Sequence, residues 1–495
     1  MGSRYDVIVV GSGSGGGVVA SRLSEDPTVK VLLLEAGPDP GDNVPDAVRY
    51  VRLGSGVNEY DWDYLDRQAR SALPRGRILG GSSCVNSSFA LRGQPQDYDS
   101  WAALGAAAWS WEQCLPFFNR LESDREFGDR PYHGKSGPIH VEREPLSDFQ
   151  QQVRAACLEL GHEALDDLNE PLGVGVGPLP RNLKDRQRQS TLLTYLAAAR
   201  GRPNLTIRAD TLVDTLLIKD GRAVGVRLAG GETIEATRVV LAAGAYNSPQ
   251  VLERSGVGSA ERLRKLGVDT LLDLPGVGEN LLDHVSSLIA LDTGQQAPAD
   301  FIPIGPTLKL RTEPGLVVDD VKFTFLFGEL FAMPGLSGLY LEVSNCESRG
   351  AVHASERDPR AEPRIEHRFF SNQRDLDRIV GGAKVAFEVA QVLSESMRCE
   401  LLLPDPETAR DEEALRRHFL DFHATDYHPS GTLRTFPTLR AGPPIHVGAS
   451  FVSNAWTPNG CVASRRARLR SRAAPSQHPA RPQRKNEMLY QACHT

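Results

Sequence analysis

The sequence predicts an α/β fold organised around a parallel, nucleotide-binding layer, and three observations carry that expectation. The first is the opening. Tyr5 to Val10 (YDVIVV) is a short, β-branched apolar run, followed at once by a glycine-rich turn and then an apolar-periodic stretch. The second is another apolar run, Val29 to Leu34, that ends on an acid, Glu35. The third lies downstream. Val321 to Phe327 and Leu339 to Val343 read as strands, and apolar residues recur at three and four positions from Asp375 to Leu393, the period of a long helix.

In the opening, Gly11, Gly13 and Gly16 satisfy G-x-G-x-x-G, with Val18, Val19 and Leu23 continuing as one face of a helix. The first glycine makes the tight turn, the second lets backbone approach a pyrophosphate, and the third lets helix pack on strand. The helix N-terminus then faces the phosphates. Ser12 and Ser14 belong to this turn, which phosphate binding explains better than a hydrolase nucleophile, since no G-x-S-x-G elbow exists in the chain. Glu35 stands nineteen residues past Gly16, where a carboxylate can accept hydrogen bonds from ribose hydroxyls. The fingerprint does not separate FAD from NAD.

Composition bounds the rest. At 495 residues, 40% hydrophobic and 24% charged, the chain is in the globular range and long enough for two or three domain-sized units. A net charge of −7 and a pI near 6.0 give no reason to expect nucleic acid as a partner. The seven cysteines (Cys84, Cys114, Cys157, Cys346, Cys399, Cys461, Cys493) are scattered and never form C-x-x-C, which fits reduced thiols and a cytoplasmic protein. No signal peptide precedes Tyr5, no apolar stretch reaches membrane-spanning length, and no internal repeat is present. Metal is not expected, because no H-x-x-x-H, C-x-x-C or ligand-type clustered carboxylate pattern appears.

A second glycine-rich turn with small hydroxyls and an asparagine runs from Gly76 to Asp99 (GRILGGSSCVNSSFALRGQPQDYD). Two more motifs follow: GAYNSPQVLERSGVG from Gly244 to Gly258, and PGVGENLLDH from Pro275 to His284. In these three segments, in YHGKSGPIHV from Tyr132 and in RGAVHASERDP from Arg349, the chain resembles the glucose–methanol–choline (GMC) oxidoreductase family over about residues 4 to 434. The resemblance implies FAD, with NAD the weaker alternative. It places cofactor contacts at Gly11, Gly13, Ser14, Gly16, Glu35, Ala36, Gly80, Gly81, Ser83, Asn86, Val213 and Ala243. Val213 reads equally well as a core strand residue. Relatives with covalent flavin carry a histidine where this chain has Val85, so noncovalent FAD is expected.

The resemblance also implies an arrangement that is α+β overall. A Rossmann-like FAD-binding domain would come from residues 1–110, 195–285 and 421–495, and an antiparallel-sheet substrate domain from 111–194 and 286–420. YHPSGT, from Tyr427 to Thr432, matches the family's histidine motif, so His428 is the expected base. A neutral imidazole would take the alcohol proton while hydride passes to flavin N5. His284 is read as ordering a turn, and His423 lies outside the motif match.

After Thr432 the match fails. The family pattern would continue with a Cys-Arg-Met-Gly-like run, a strand ending Val-Asp-Ala-Ser and an Asn-rich segment supplying the second active-site residue. From Thr435 on, Glu487 is the only acid against nine lysines and arginines, and Ala463 to Pro482 is rich in arginine, alanine, proline and serine. Two origins fit: a basic, solvent-exposed tail, or the favoured one, a reading-frame change or recombined end. Disorder and impaired activity are the expectations. Asn454, Asn459 and His478 receive no role.

The leading functional expectation is thus an FAD-dependent alcohol oxidoreductase, with a small-molecule alcohol as substrate and oxygen or another electron acceptor. A hydroxynitrile-lyase-like enzyme and a catalytically inactive FAD-binding protein are the alternatives.

Overall fold

Residues 5 to 10 lie at the centre of a six-stranded sheet, and their alternation shows why the run is apolar throughout. Val7 and Val9 pack into one core with Ala20, Val31 and Leu33, while Ile8 and Val10 pack into another with Leu32, Leu34 and Val213. Both faces are therefore covered, as the unbroken hydrophobic run requires. The computed structural model describes residues 5–51, 58–66, 71–297, 303–331 and 335–433. The atypical segment after 434 lies outside the described residues, as do Asn454, Asn459 and His478.

The sheet runs Leu205–Arg208, Val31–Leu34, Tyr5–Val10, Thr233–Leu241, Arg222–Leu228, Val213–Lys219. The first four strands are parallel and the last two antiparallel. The layer is thus mixed rather than wholly parallel. A two-residue turn can join only antiparallel strands, and Asp220 and Gly221 both hold positive φ, 50° and 71°, the geometry whose twist suits such a hairpin.

The second sheet has seven strands, all antiparallel: Glu400–Leu403, Val285–Asp292, Leu336–Val343, Val321–Phe327, Thr307–Leu310 and Val176–Gly177, with Ala424–Thr425 also pairing to Val285–Asp292. The strands expected at 321 and 339 are both in it. Val321, Phe323, Phe325 and Phe327 join a core with Ile379, Ala383 and Ala386 of the helix Gln373–Ser396. Asn372 caps that helix, its side chain accepting from Arg374 N. The period of two sends Lys322 and Thr324 to the opposite face, which holds the candidate site. Among the described residues no helix is long and apolar enough to cross a membrane.

Candidate active site

The two glycine turns meet. Gly81 approaches Gly13 so closely that a Cβ on it would fall 2.8 Å from Gly13 Cα, and Gly80 N donates to Ser12 Oγ at 2.9 Å. Gly11, at φ 91°, lies against Ala242 O, and a Cβ on Gly16 would strike Gly11 O at 1.8 Å. These three positions admit only glycine because backbone is already there. Gly13 differs: a Cβ there would meet nothing closer than 3.9 Å, leaving open space over the turn. Ser14 is half-buried beside it, ahead of the helix Gly16–Leu23.

Glu35 is buried at the end of its strand. Its Oε2 accepts from Ser12 N at 2.9 Å and Ser12 Oγ at 2.5 Å, and its Oε1 from Gly37 N at 3.0 Å. Burial pushes its pKa above the ordinary value, partly offset by those hydrogen bonds. Ala36 follows, half-buried. Ser83 Oγ donates to Gly80 O at 2.6 Å and accepts from Thr191 N at 3.1 Å, so this hydroxyl first braces the second turn. Asn86 Oδ1 accepts from Arg188 Nη1 at 2.7 Å. The Val213 side chain is core, between Ile8 and Leu228, and Ala243 precedes the helix Gly244–Arg254.

His428 sits on a loop tied to three distant segments. Arg75 Nη2 donates to Tyr427 O at 2.8 Å, Thr432 Oγ1 to Ala245 O at 2.8 Å, and His428 N to Asp283 Oδ1 at 2.8 Å. Asp283 also accepts from Thr425 Oγ1 at 2.6 Å. Tyr427 adopts φ 63°, a left-handed conformation costly for a tyrosine, which this web of contacts sustains. The loop therefore joins the second glycine turn to the Gly244 motif and to the Asp283–His284 pair.

Around the ring, His284 Nδ1 stands 3.4 Å and Asp426 Oδ2 3.0 Å from His428 Nδ1. Glu342 Oε1 accepts from His284 Nδ1 and Lys322 Nζ, each at 2.6 Å. Burial, then the neighbouring His284, drives the His428 pKa down to about 3, so the ring is neutral. His284 is thus a partner in this cluster rather than the orderer of a turn. His423 is elsewhere, its Nδ1 at 3.1 Å from Phe419 O among the rings of Phe369 and Phe370.

Two buried groupings hold metal-type donors, His284–Glu342–Asp426–His428 and Glu122–Asp124–His133, each with its donor atoms within 4.8 Å. Spacing shows only part of each, Asp426 with His428 and Glu122 with Asp124 two positions apart, because the remaining members come from other strands and loops. In each the protein supplies its own cation: Lys322 on Glu342, Arg143 on Asp124, Arg92 on Glu122.

Lys322, Glu342 and Asp426 escape motif reading. The available signal was a lysine and a glutamate interrupting apolar strands, because charged residues are almost never buried unless paired. Lys322 and Glu342 are direct cross-strand partners. Asp283 lay inside a recognised motif, but its role as anchor of the histidine loop required the fold.

Glycine-braced strand–turn–helix geometry, with a neutral, half-buried histidine on a loop bonded to Arg75 ahead of the second glycine turn, is that of a dinucleotide-cofactor enzyme. The comparisons sharpen this. A family model described as GMC oxidoreductase matches residues 5–286 and its C-terminal counterpart residues 346–435, so the chain belongs to the GMC oxidoreductase family, enzymes acting on CH–OH groups. The chain is 33% identical over 484 residues to oxygen-dependent choline dehydrogenase 1 of Chromohalobacter salexigens, covering 87% of this chain and 85% of that one. It is 34% identical over 468 residues to 5-(hydroxymethyl)furfural oxidase of Methylovorus sp., covering 87% and 88%. Among solved structures, pyridoxine 4-oxidase from Mesorbium loti superposes with a TM-score of 0.79 at 26% identity, covering 92% of this chain and 95% of that one.

Proposed function

We propose that the chain binds FAD noncovalently and oxidises a small-molecule alcohol to an aldehyde or ketone, with His428 as the base. The observation that carries this reading is the neutral, half-buried imidazole of His428 on a loop bonded to residues beside both the second glycine turn and the Gly244 motif. A neutral ring can accept a proton, whereas an imidazolium cannot.

The residues fit the cofactor. Gly13 and Gly81 leave a cradle that a side chain on Gly13 would enter, and the helix N-terminus beyond it suits a pyrophosphate. Gly11, Gly13, Ser14 and Gly16 would hold the phosphates, and Glu35 and Ala36 the ribose end. Val213 and Ala243 would line the adenosine half, and Gly80, Gly81, Ser83 and Asn86 the ring system. Val85 ahead of Asn86 supports noncovalent attachment, since valine offers no atom for a bond to flavin. When bound, FAD would supply a two-electron acceptor for the hydride of the carbinol carbon. His428 takes the hydroxyl proton, and Asp283 and Arg75 keep its loop in place.

On this reading the described residues among 1–110, 195–285 and 421–433 belong to the FAD-binding domain, and those among 111–194 and 286–420 to the substrate domain. The oxygen-dependent choline dehydrogenase and furfural oxidase relatives support an alcohol substrate with oxygen as acceptor. Five buried free cysteines among the described residues support a reducing, cytoplasmic setting. The family match ends at residue 435, which supports impaired turnover for want of the second active-site residue.

The test is anaerobic titration of the purified yellow protein with a panel of alcohols. Bleaching of the flavin band is expected, with slow turnover in air. Cyanohydrin cleavage with the flavin still oxidised would establish the lyase reading instead, and a flavin that no alcohol reduces would establish the inactive one.

A further inference from the structure

We propose that Asp426 is a positioning residue that holds the His428 ring with hydrogen on Nδ1 and none on Nε2, so that Nε2 is the atom that takes the substrate proton. This rests on the reading of His428 as base. The groups facing the pair are Asp283 and His284 beside the Val285–Asp292 strand, Lys322, Tyr340 and Glu342 from the two strands beyond it, and Thr425 on the loop itself.

The tautomer follows from counting hydrogens. Burial opposes the Glu342 charge, but Lys322 and His284 outweigh it and hold Glu342 well below the usual carboxylate range. Burial and Glu342 push Asp426 the other way, well above its own range. Glu342 is therefore the anion of the pair and can only accept. The contact of 2.6 Å from His284 Nδ1 to Glu342 Oε1 then requires the hydrogen on His284 Nδ1. That nitrogen has no lone pair to offer His428 Nδ1, despite lying 3.4 Å away.

The acceptor nearest His428 Nδ1 is Asp426 Oδ2, a buried oxygen 3.0 Å away that makes no aligned hydrogen bond to any group, His428 included, and so is still open to an Nδ1–H. With Glu342 the anion beside it, the Asp426 proton is drawn toward Glu342, which leaves Oδ2 to accept. An Nδ1–H aimed at Oδ2 leaves Nε2 bare. Because Asp426 is uncharged, it orients the ring without holding an extra proton on it. Sequence gives no hint of this, for the two residues are separated only by Tyr427, whose left-handed backbone turns both side chains toward the same cluster.

The experiment uses the FAD-loaded full chain with 15N-labelled histidine. Long-range 15N–1H correlation of the His428 ring is expected to show protonated Nδ1 and unprotonated Nε2, and Asp426→Ala to mix the tautomers. In stopped-flow reduction Asp426→Ala should lower the limiting rate by roughly 10- to 100-fold with substrate affinity little changed, a share of what a general base contributes. Asp426→Asn, whose amide oxygen can still accept, should recover most of that loss. A wild-type ring with hydrogen on Nε2, or Asp426→Ala spectra and rates equal to wild type, would overturn the proposal. If His428→Ala reduces flavin at the wild-type rate, the base assignment falls as well; if it is inert while Asp426→Ala is normal, only the positioning role falls.

Discussion

His133 and His428 are both imidazoles set among carboxylates and a cation, and their pKa values are shifted in opposite directions. His133 is clamped on both ring nitrogens, Nδ1 at 2.7 Å from Glu122 Oε1 and Nε2 at 2.8 Å from Asp167 Oδ2. Burial opposes its charge, yet hydrogen bonds to Asp167 and Glu122 outweigh it and raise the pKa. Arg92, Arg143 and His133 together face Glu122, Asp124 and Asp167, and these carboxylates favour the protonated ring. At His428 the local carboxylate charge is already answered by Lys322, and burial wins. A histidine clamped on both sides is a strut; one left neutral with a bare nitrogen can do proton chemistry.

The largest break in that contrast should come from His428→Ala. Flavin reduction by alcohol should fall by about 10²- to 10⁴-fold, the span of general-base contributions, with the protein still folded and yellow. Stopped-flow absorbance and a melting curve check both halves.

His133→Leu should do the reverse. It leaves three buried carboxylates to two arginines and should cost about 3–5 kcal/mol in urea unfolding, as breaking a buried charge network does. Flavin reduction per folded molecule should hold. Lys322→Met should cost a comparable amount by leaving Glu342 buried and unpaired, whereas the double variant Lys322→Met, Glu342→Gln should recover most of it.

The two histidines should also give stability slopes of opposite sign. The raised pKa of His133 makes its contribution complete below the unfolded value of 6.5 and progressively lost as pH rises through the folded one. His428, lowered from 6.5 to about 3, binds its proton more readily unfolded, so stability is lost as pH falls from 6.5 toward 3. Urea titrations across pH should therefore lose their alkaline slope in His133→Leu and part of their acid slope in His428→Ala.

The smallest effect on stability is expected at Gly13→Ala. A Cβ there has 3.9 Å of room, so the apoprotein should change by less than about 0.5 kcal/mol, as at an unencumbered surface site. The same methyl would occupy the cradle, so FAD affinity, read by flavin fluorescence, should drop sharply.

Much of the nucleotide-binding layer was legible because its signals are local. Tyr5–Val10, the fingerprint and Glu35 lie within about thirty residues, and their period and spacing do not depend on distant partners. The antiparallel placement of the Asp220–Gly221 hairpin, which makes the sheet mixed, followed from strand pairing. Around His428 only the histidine and its motif could be read. Asp283 was visible as a letter within NLLDH, but its hydrogen bond to His428 N spans 145 positions.

The sequence alone therefore determined the family, the cofactor class and the expected base, since each rests on a short run whose chemistry is local. What only tertiary structure decided is the protonation of the site. Charge state in a protein interior depends on which groups lie within a few ångströms and how much water reaches them. For His428 those groups are His284, Lys322, Glu342 and Asp426, brought together from separate strands and loops by the antiparallel sheet.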